Sequence, residues 1–188
     1  VAVTGVQTCA LPICYWMYAN RKDGKGNLIR SQDQPAVDLV PIENIRIDPS
    51  ANWADPINSS PYIIHLIPMY VTDVKARMSR PDPKGRQWKS YPDPVLTQSS
   101  DDDSTRKTRY GKQQDPMTQN RTVSDYDICW VHRHIHRWNG TDYEFYTIRS
   151  EKMLTEPEPL DQTVFHGRRP YVMGVASIET HKVFPTPI

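Results

Sequence analysis

The chain has 188 residues, a formal net charge of +1 and a mean hydropathy of −0.68, with 37% hydrophobic residues. That balance lacks the basic excess or basic stripe of a free-standing nucleic-acid binder, and no apolar run of about 18 residues is present to cross a membrane. Seventeen prolines disfavour long helices, whereas 5 Trp and 10 Tyr exceed what a disordered chain ordinarily carries, so composition predicts an aromatic-rich β core with proline-rich connections.

Val3 to Ile13 reads VTGVQTCALPI, which resembles the conceptual translation of a sequencing adapter over all eleven residues. On that reading residues 1–13 stand apart from the fold argument, and Cys129 is the one cysteine of the three to be relied on. A single thiol builds no disulfide framework, and a lone Cys in a strand is most often a small buried hydrophobe. The N-terminus has no basic stretch before its mildly apolar run, which argues against a secretory signal. The end at Phe184-Pro185-Thr186-Pro187-Ile188 reads as a break within a longer protein.

Tyr15 to Tyr18 is a short aromatic strand. Lys22 to Asn27 contains Asp-Gly and Gly-Asn, which supply the positive-φ positions of a hairpin turn, and Leu28 to Arg30 returns. Ala36 to Val40 and Ile45 to Ile47 are two further strands. Asp48 to Ser60 reads as a loop pinned by Trp53. Tyr62 to Tyr70 is β-branched and apolar, a buried strand. Thr72-Asp73 offers an N-cap for a short helix over Asp73 to Arg80, ended by Pro81. Pro81 to Arg121 combines prolines, the acidic run Asp101-Asp102-Asp103 and few aliphatics, which predicts an exposed loop or insertion. The acidic run lacks the spaced oxygens, glycine and final Glu of a calcium loop.

Ser124 to Trp138 is the clearest strand, and Asn139-Gly140 is a strong hairpin signal with Tyr143 to Ile148 returning. Thr163 to Phe165 and Pro170 to Ala176 complete the set. The chain is therefore expected to be α+β and predominantly β, built from short antiparallel strands and hairpins with one short helix and long proline-rich loops. Its segments are 1–13 (adapter-like), 14–80 (β-rich with the helix), 81–122 (loop or insertion) and 123–188 (hairpin segment).

Three constellations could carry chemistry. His132, His134 and His136 alternate along one strand and share a face, so they are candidate ligands for a borderline metal such as Zn²⁺. Same-face neighbours are about 7 Å apart along a strand, which favours instead a solvent-facing polar strip continuing Tyr126, Ile128 and Trp130, with Arg133 and Arg137 idle on the opposite face. Arg168-Arg169 could contact an anion. Glu156, Glu158 and Asp161 cluster in a proline-bound, exposed setting. No phosphate loop, nucleophile elbow or Cys–base pair is evident, so neither an enzyme nor a cofactor is expected.

Val40 to Met78 carries the pattern P-x-E-N-x-x-x-D-P over Pro41 to Pro49, followed by a strand and a short helix. Gly167 to Ile188 opens with Arg168-Arg169-Pro170-Tyr171-Val172, and between the two lies the hairpin Trp130 to Ile148. Together these segments resemble the portal, or head-to-tail connector, proteins of short-tailed bacteriophages, with Arg133 standing where that family favours an acidic residue. The resemblance implies a virion protein at the capsid portal vertex, assembled in the host cytoplasm. It implies a homo-oligomeric, dodecameric ring, this chain belonging to its peripheral wing region. Double-stranded DNA would pass through the central channel, and terminase, capsid and tail or adaptor proteins would dock on it. The family's stem helices and channel-lining segments would lie beyond Ile188. Two other classes stand beside this one: a β-rich binding or tail/adhesion module, which would fold alone, and a metal-dependent enzyme built on the His strip, which would need a concave site and a further ligand.

Overall fold

The computed structural model describes residues 9–22, 24, 28–80, 87–97, 126–148, 152–162, 167–175 and 180–183. The fold is α+β and predominantly β, with antiparallel sheets and, among the described residues, three short α-helices. The strands are β1 (Cys9–Lys22), β2 (Leu28–Val40), β3 (Ile45–Ile47), β4 (Tyr62–Tyr70), β5 (Ile128–Trp138), β6 (Thr141–Ile148), β7 (Lys152–Met153), β8 (Glu158–Pro159) and β9 (Gly174–Val175). The helices are α1 (Pro56–Ser59), α2 (Val71–Ser79) and α3 (Asp93–Thr97). One sheet has the order β2-β1-β9 and the other β3-β4-β5-β6-β7, with β8 against β6. No helix among the described residues is long and apolar enough to cross a membrane. The chain divides into two compact units, residues 1–63, 140–142 and 159–188, and residues 64–139 and 143–158.

In the first unit β1 and β2 form one long antiparallel hairpin, from Leu11 opposite Val40 to Lys22 opposite Leu28. Sequence reading expects two separate strands at Leu28–Arg30 and Ala36–Val40; they are one, and Pro35 sits inside it opposite Trp16. Proline lacks the ladder donor, and β2 tolerates it because it lies at the sheet edge. The register slips at Ala19/Asn20, where Ser31 is the extra residue of a bulge. Residues 9–13 of the adapter-like segment are paired in β1: Cys9 faces Val175, and the Cys14 N–H donates to the Pro170 carbonyl at 2.9 Å. Of the expected strands near the C-terminus, 163–165 lies outside the described residues, and 170–176 is realised as a single bridge at Tyr171 and the short β9.

The turn after β2 closes when the Asn44 N–H donates to the Pro41 carbonyl at 2.9 Å. Asp48 then accepts from the Ser50 N–H and hydroxyl, at 2.8 and 2.7 Å, fixing an Asx turn. The expected loop 48–60 contains α1. Its signal was Asp55-Pro56: Asp55 caps by accepting from the Asn58 N–H at 3.3 Å, and proline occupies the first turn, where its missing donor costs nothing. Trp53 is half-buried and meets the His181 ring edge-on at 6.3 Å between centroids, a partner in a turn and not in a sheet.

In the second unit the buried residues gather into one cluster. Val71, Val74 and Met78 line one face of α2 at helical spacing and are buried with Cys129, Val131 and Ile148. The helix begins at Val71, two residues earlier than the capping argument places it, and Tyr70 at its N-cap makes no side-chain bond. The Val71 N–H instead donates to the Asp127 carbonyl at 2.9 Å, so tertiary pairing fixes the start. Residues 87–97 correct the expectation of an exposed segment. Trp88 and Leu96 are core residues; the Lys89 N–H donates to the Leu154 carbonyl at 2.8 Å, and Lys75 pairs with Asp93 at 3.0 Å. Two aromatics and an aliphatic (Trp88, Tyr91, Leu96) outweigh the surrounding prolines. The acidic run 101–103 lies outside the described residues.

Candidate functional site

Strand β5 is long because Val, Ile, Trp and alternating His suit a pleated, half-buried surface. Its residues 129–131 and 133–135 are buried and Arg137 and Trp138 exposed. Asn139 (φ 49°) and Gly140 (φ 81°) both take left-handed conformations, as a two-residue type I′ turn requires. The register that such a turn implies puts His134 opposite Phe145 and Arg133 opposite Tyr146.

The histidine face is not a solvent-facing strip. His134 is buried, while His132 and His136 are half-buried. The His134 ring stacks on Phe145 with centroids 4.6 Å apart and planes within 2°. Its Nε2 lies 2.9 Å from Thr147 Oγ1 and its Nδ1 3.3 Å from His136 Nε2. The spacing along the strand underestimated this approach, because the rings lean together: centroids are 5.4 Å apart for His134–His136 and 6.2 Å for His132–His134. Burial first, and then the His136 and His132 neighbours, push the His134 imidazole down to about 4 from 6.5. Among the described residues no three His, Cys, Asp or Glu side chains converge as a full metal-ligand set, so His132 does not join the pair.

The opposite face corrects the reading of Arg133 as a bystander. Arg133 is buried and its Nε donates to Glu144 Oε1 at 2.6 Å, in a pair whose side chains are 10% and 4% exposed. The Tyr146 hydroxyl donates to the same carboxylate oxygen at 3.0 Å. A buried ion pair needs such extra bonds to offset its desolvation. His65 on β4 is buried, and burial, reinforced by the Arg133 charge, pushes it down to about 4. Both imidazoles are therefore neutral at neutral pH. Cys129 is fully buried, and burial pushes its thiol up to about 12, so it is an inert core residue as expected.

Arg168 and Arg169, read as a possible anion contact, are separated by the fold. Arg168 is exposed. Arg169 is buried and bonded within the first unit. Its Nε and Nη2 form a fork on Asp142, both at 2.8 Å, and its Nη1 donates to the Ile57 and Ser60 carbonyls at 2.6 and 2.7 Å. Arg169 is thus a structural tie, with four of its five N–H donors spent on internal acceptors, because burial next to Asp142 favours the internal carboxylate. Glu156 is exposed and pairs with Lys89, and Asp161 is exposed beside the Gly167 turn. Neither is placed as a buried acid or base. No family model and no curated protein matches the chain.

Proposed function

We propose that this chain is the peripheral, β-rich part of a portal subunit of a short-tailed bacteriophage, a structural and non-catalytic virion component. The observation that carries the reading is the tie at Arg169. The three segments bearing the resemblance are Val40 to Met78, Trp130 to Ile148 and Gly167 to Ile188. Each contributes to one buried node: the carbonyls of Ile57 and Ser60 from the first, the Asp142 carboxylate from the second and the Arg169 guanidinium from the third. Segments separated by about a hundred residues are thereby locked by one bidentate, charge-assisted fork. Turns fixed by Pro41, Asp48-Pro49 and Asp55-Pro56 in the first unit suit a structural ring element better than a mobile catalytic one.

On this reading the partners are further copies of the same subunit in a closed dodecameric ring, with terminase, capsid and tail or adaptor proteins docking on it and double-stranded DNA in the channel. The protein would act in the virion, at the portal vertex. Native mass spectrometry of the complete reading frame that encodes these residues tests the proposal. A closed homo-oligomer of about a dozen copies is the expected species; a monomer at all concentrations overturns it.

A further inference from the structure

We propose that His134 and His136 form a chelating site for a divalent transition metal of borderline softness, Zn²⁺ above all, held between His134 Nδ1 and His136 Nε2. The inference is independent of the portal reading and rests on the second unit alone.

The first observation is a distance. Two imidazole nitrogens bound to one tetrahedral zinc, each at about 2.0–2.1 Å, stand about 3.3–3.4 Å apart. His134 Nδ1 and His136 Nε2 are 3.3 Å apart. The two nitrogens already have the separation that one ion imposes, so binding needs little movement of either ring.

The second observation is how the buried ligand is held. In the tautomer that carries its proton on Nε2, His134 donates to Thr147 Oγ1, 2.9 Å away, and presents the Nδ1 lone pair to His136. Metal-bound histidines are generally held in this way, with the second ring nitrogen donating to an oxygen that fixes ring and tautomer. Phe145, stacked flat on the ring at 4.6 Å, removes the remaining rotational freedom. Holding a ligand in its bound orientation lowers the ordering cost of binding.

The third observation sets the class of ion. Two neutral imidazoles and no thiolate or carboxylate favour Zn²⁺, Ni²⁺ or Cu²⁺ over Ca²⁺ or Mg²⁺, which take oxygen ligands. No third His, Cys, Asp or Glu completes the set among the described residues. His132 is the next imidazole along the same face, with its ring centroid 6.2 Å from that of His134. The competing account of the 3.3 Å separation is an N–H···N hydrogen bond with no affinity for metal.

The test is titration of the full chain with Zn²⁺ alone by isothermal calorimetry, alongside His136→Gln, Thr147→Val and the exposed control His181→Ala. One equivalent of zinc is expected to bind. Affinity should fall by at least about tenfold in His136→Gln and by about tenfold in Thr147→Val, and stay unchanged in His181→Ala. Electron paramagnetic resonance of Cu²⁺ bound to the unmodified chain needs no variant and should show two directly coordinated imidazole nitrogens. No saturable zinc uptake at millimolar metal overturns the proposal. So does an affinity indifferent to His136→Gln, or a copper spectrum with fewer than two imidazoles.

Discussion

Removing the Arg169 guanidinium is expected to be among the most destabilising single changes in the first unit. The side chain is 1% exposed and its partner Asp142 10% exposed, so water screens the pair poorly. Arg169→Ala deletes both arms of the fork on Asp142 and both bonds to the carbonyls of Ile57 and Ser60. It takes the Arg169 charge from a buried carboxylate and that donor from two carbonyls, a loss of about 3–5 kcal/mol. Against a typical domain stability of about 5–15 kcal/mol, that moves a urea midpoint substantially or abolishes the cooperative transition. Arg169→Lys should recover little, because a compact ammonium cannot span both carboxylate oxygens and both carbonyls. Arg169→Met combined with Asp142→Leu should recover part of the loss, since the carboxylate facing the lost guanidinium is removed with it. Equilibrium urea unfolding followed by tryptophan fluorescence reads all three. An Arg169→Ala variant within about 1 kcal/mol of the parent would refute the claim that this node holds the segments together.

Acid should destabilise the second unit through His65. Its folded value near 4 lies below the ordinary 6.5, so the unfolded chain binds more protons between those values. Stability is then complete above about pH 6.5 and falls until about pH 4, by about 3 kcal/mol for a fully expressed shift; denaturation midpoints that stay flat across that interval would contradict it. His134 acts in the same direction. Cys129, fully buried with its thiol pushed up to about 12, should resist alkylation at pH 8 in the native chain and react on unfolding, while the half-buried Cys14 reacts first; peptide mapping after timed iodoacetamide exposure decides this. Gly140→Ala should cost about 1–2 kcal/mol by thermal unfolding. A Cβ at that position meets nothing within 4 Å, so the cost arises only from φ +81°; a neutral result would show that the turn adapts.

The legible parts of the fold were those where local chemistry and tertiary context agree. Asn139-Gly140 announced its hairpin and Tyr62 to Tyr70 its strand, and both hold, although the strand is only partly buried, with Ile63, His65 and Leu66 inside and Tyr70 exposed. Elsewhere a local signal was present but outweighed. Asp55-Pro56 is a sound helix start, hidden in a stretch whose prolines and polar residues read as loop. Trp88 and Leu96 are core residues in a segment whose composition looked disordered. Pro35 lies in the interval that separated the expected strands Leu28–Arg30 and Ala36–Val40, and the edge position of β2 explains its tolerance. For the candidate site, alternation placed His132, His134 and His136 on one face, but their depth depends on what covers that face. Burial of Arg133 likewise follows from Glu144 and Tyr146 across the turn, a pairing the Asn-Gly register already implied. Arg169 could not be read locally at all: its partners lie 27, 109 and 112 residues away in sequence.

Negative-stain electron microscopy of the protein expressed from its complete reading frame tests the portal proposal most directly. The account predicts dodecameric rings with a central channel, with these β-rich residues in the outer body. Compact single particles without a ring would contradict it.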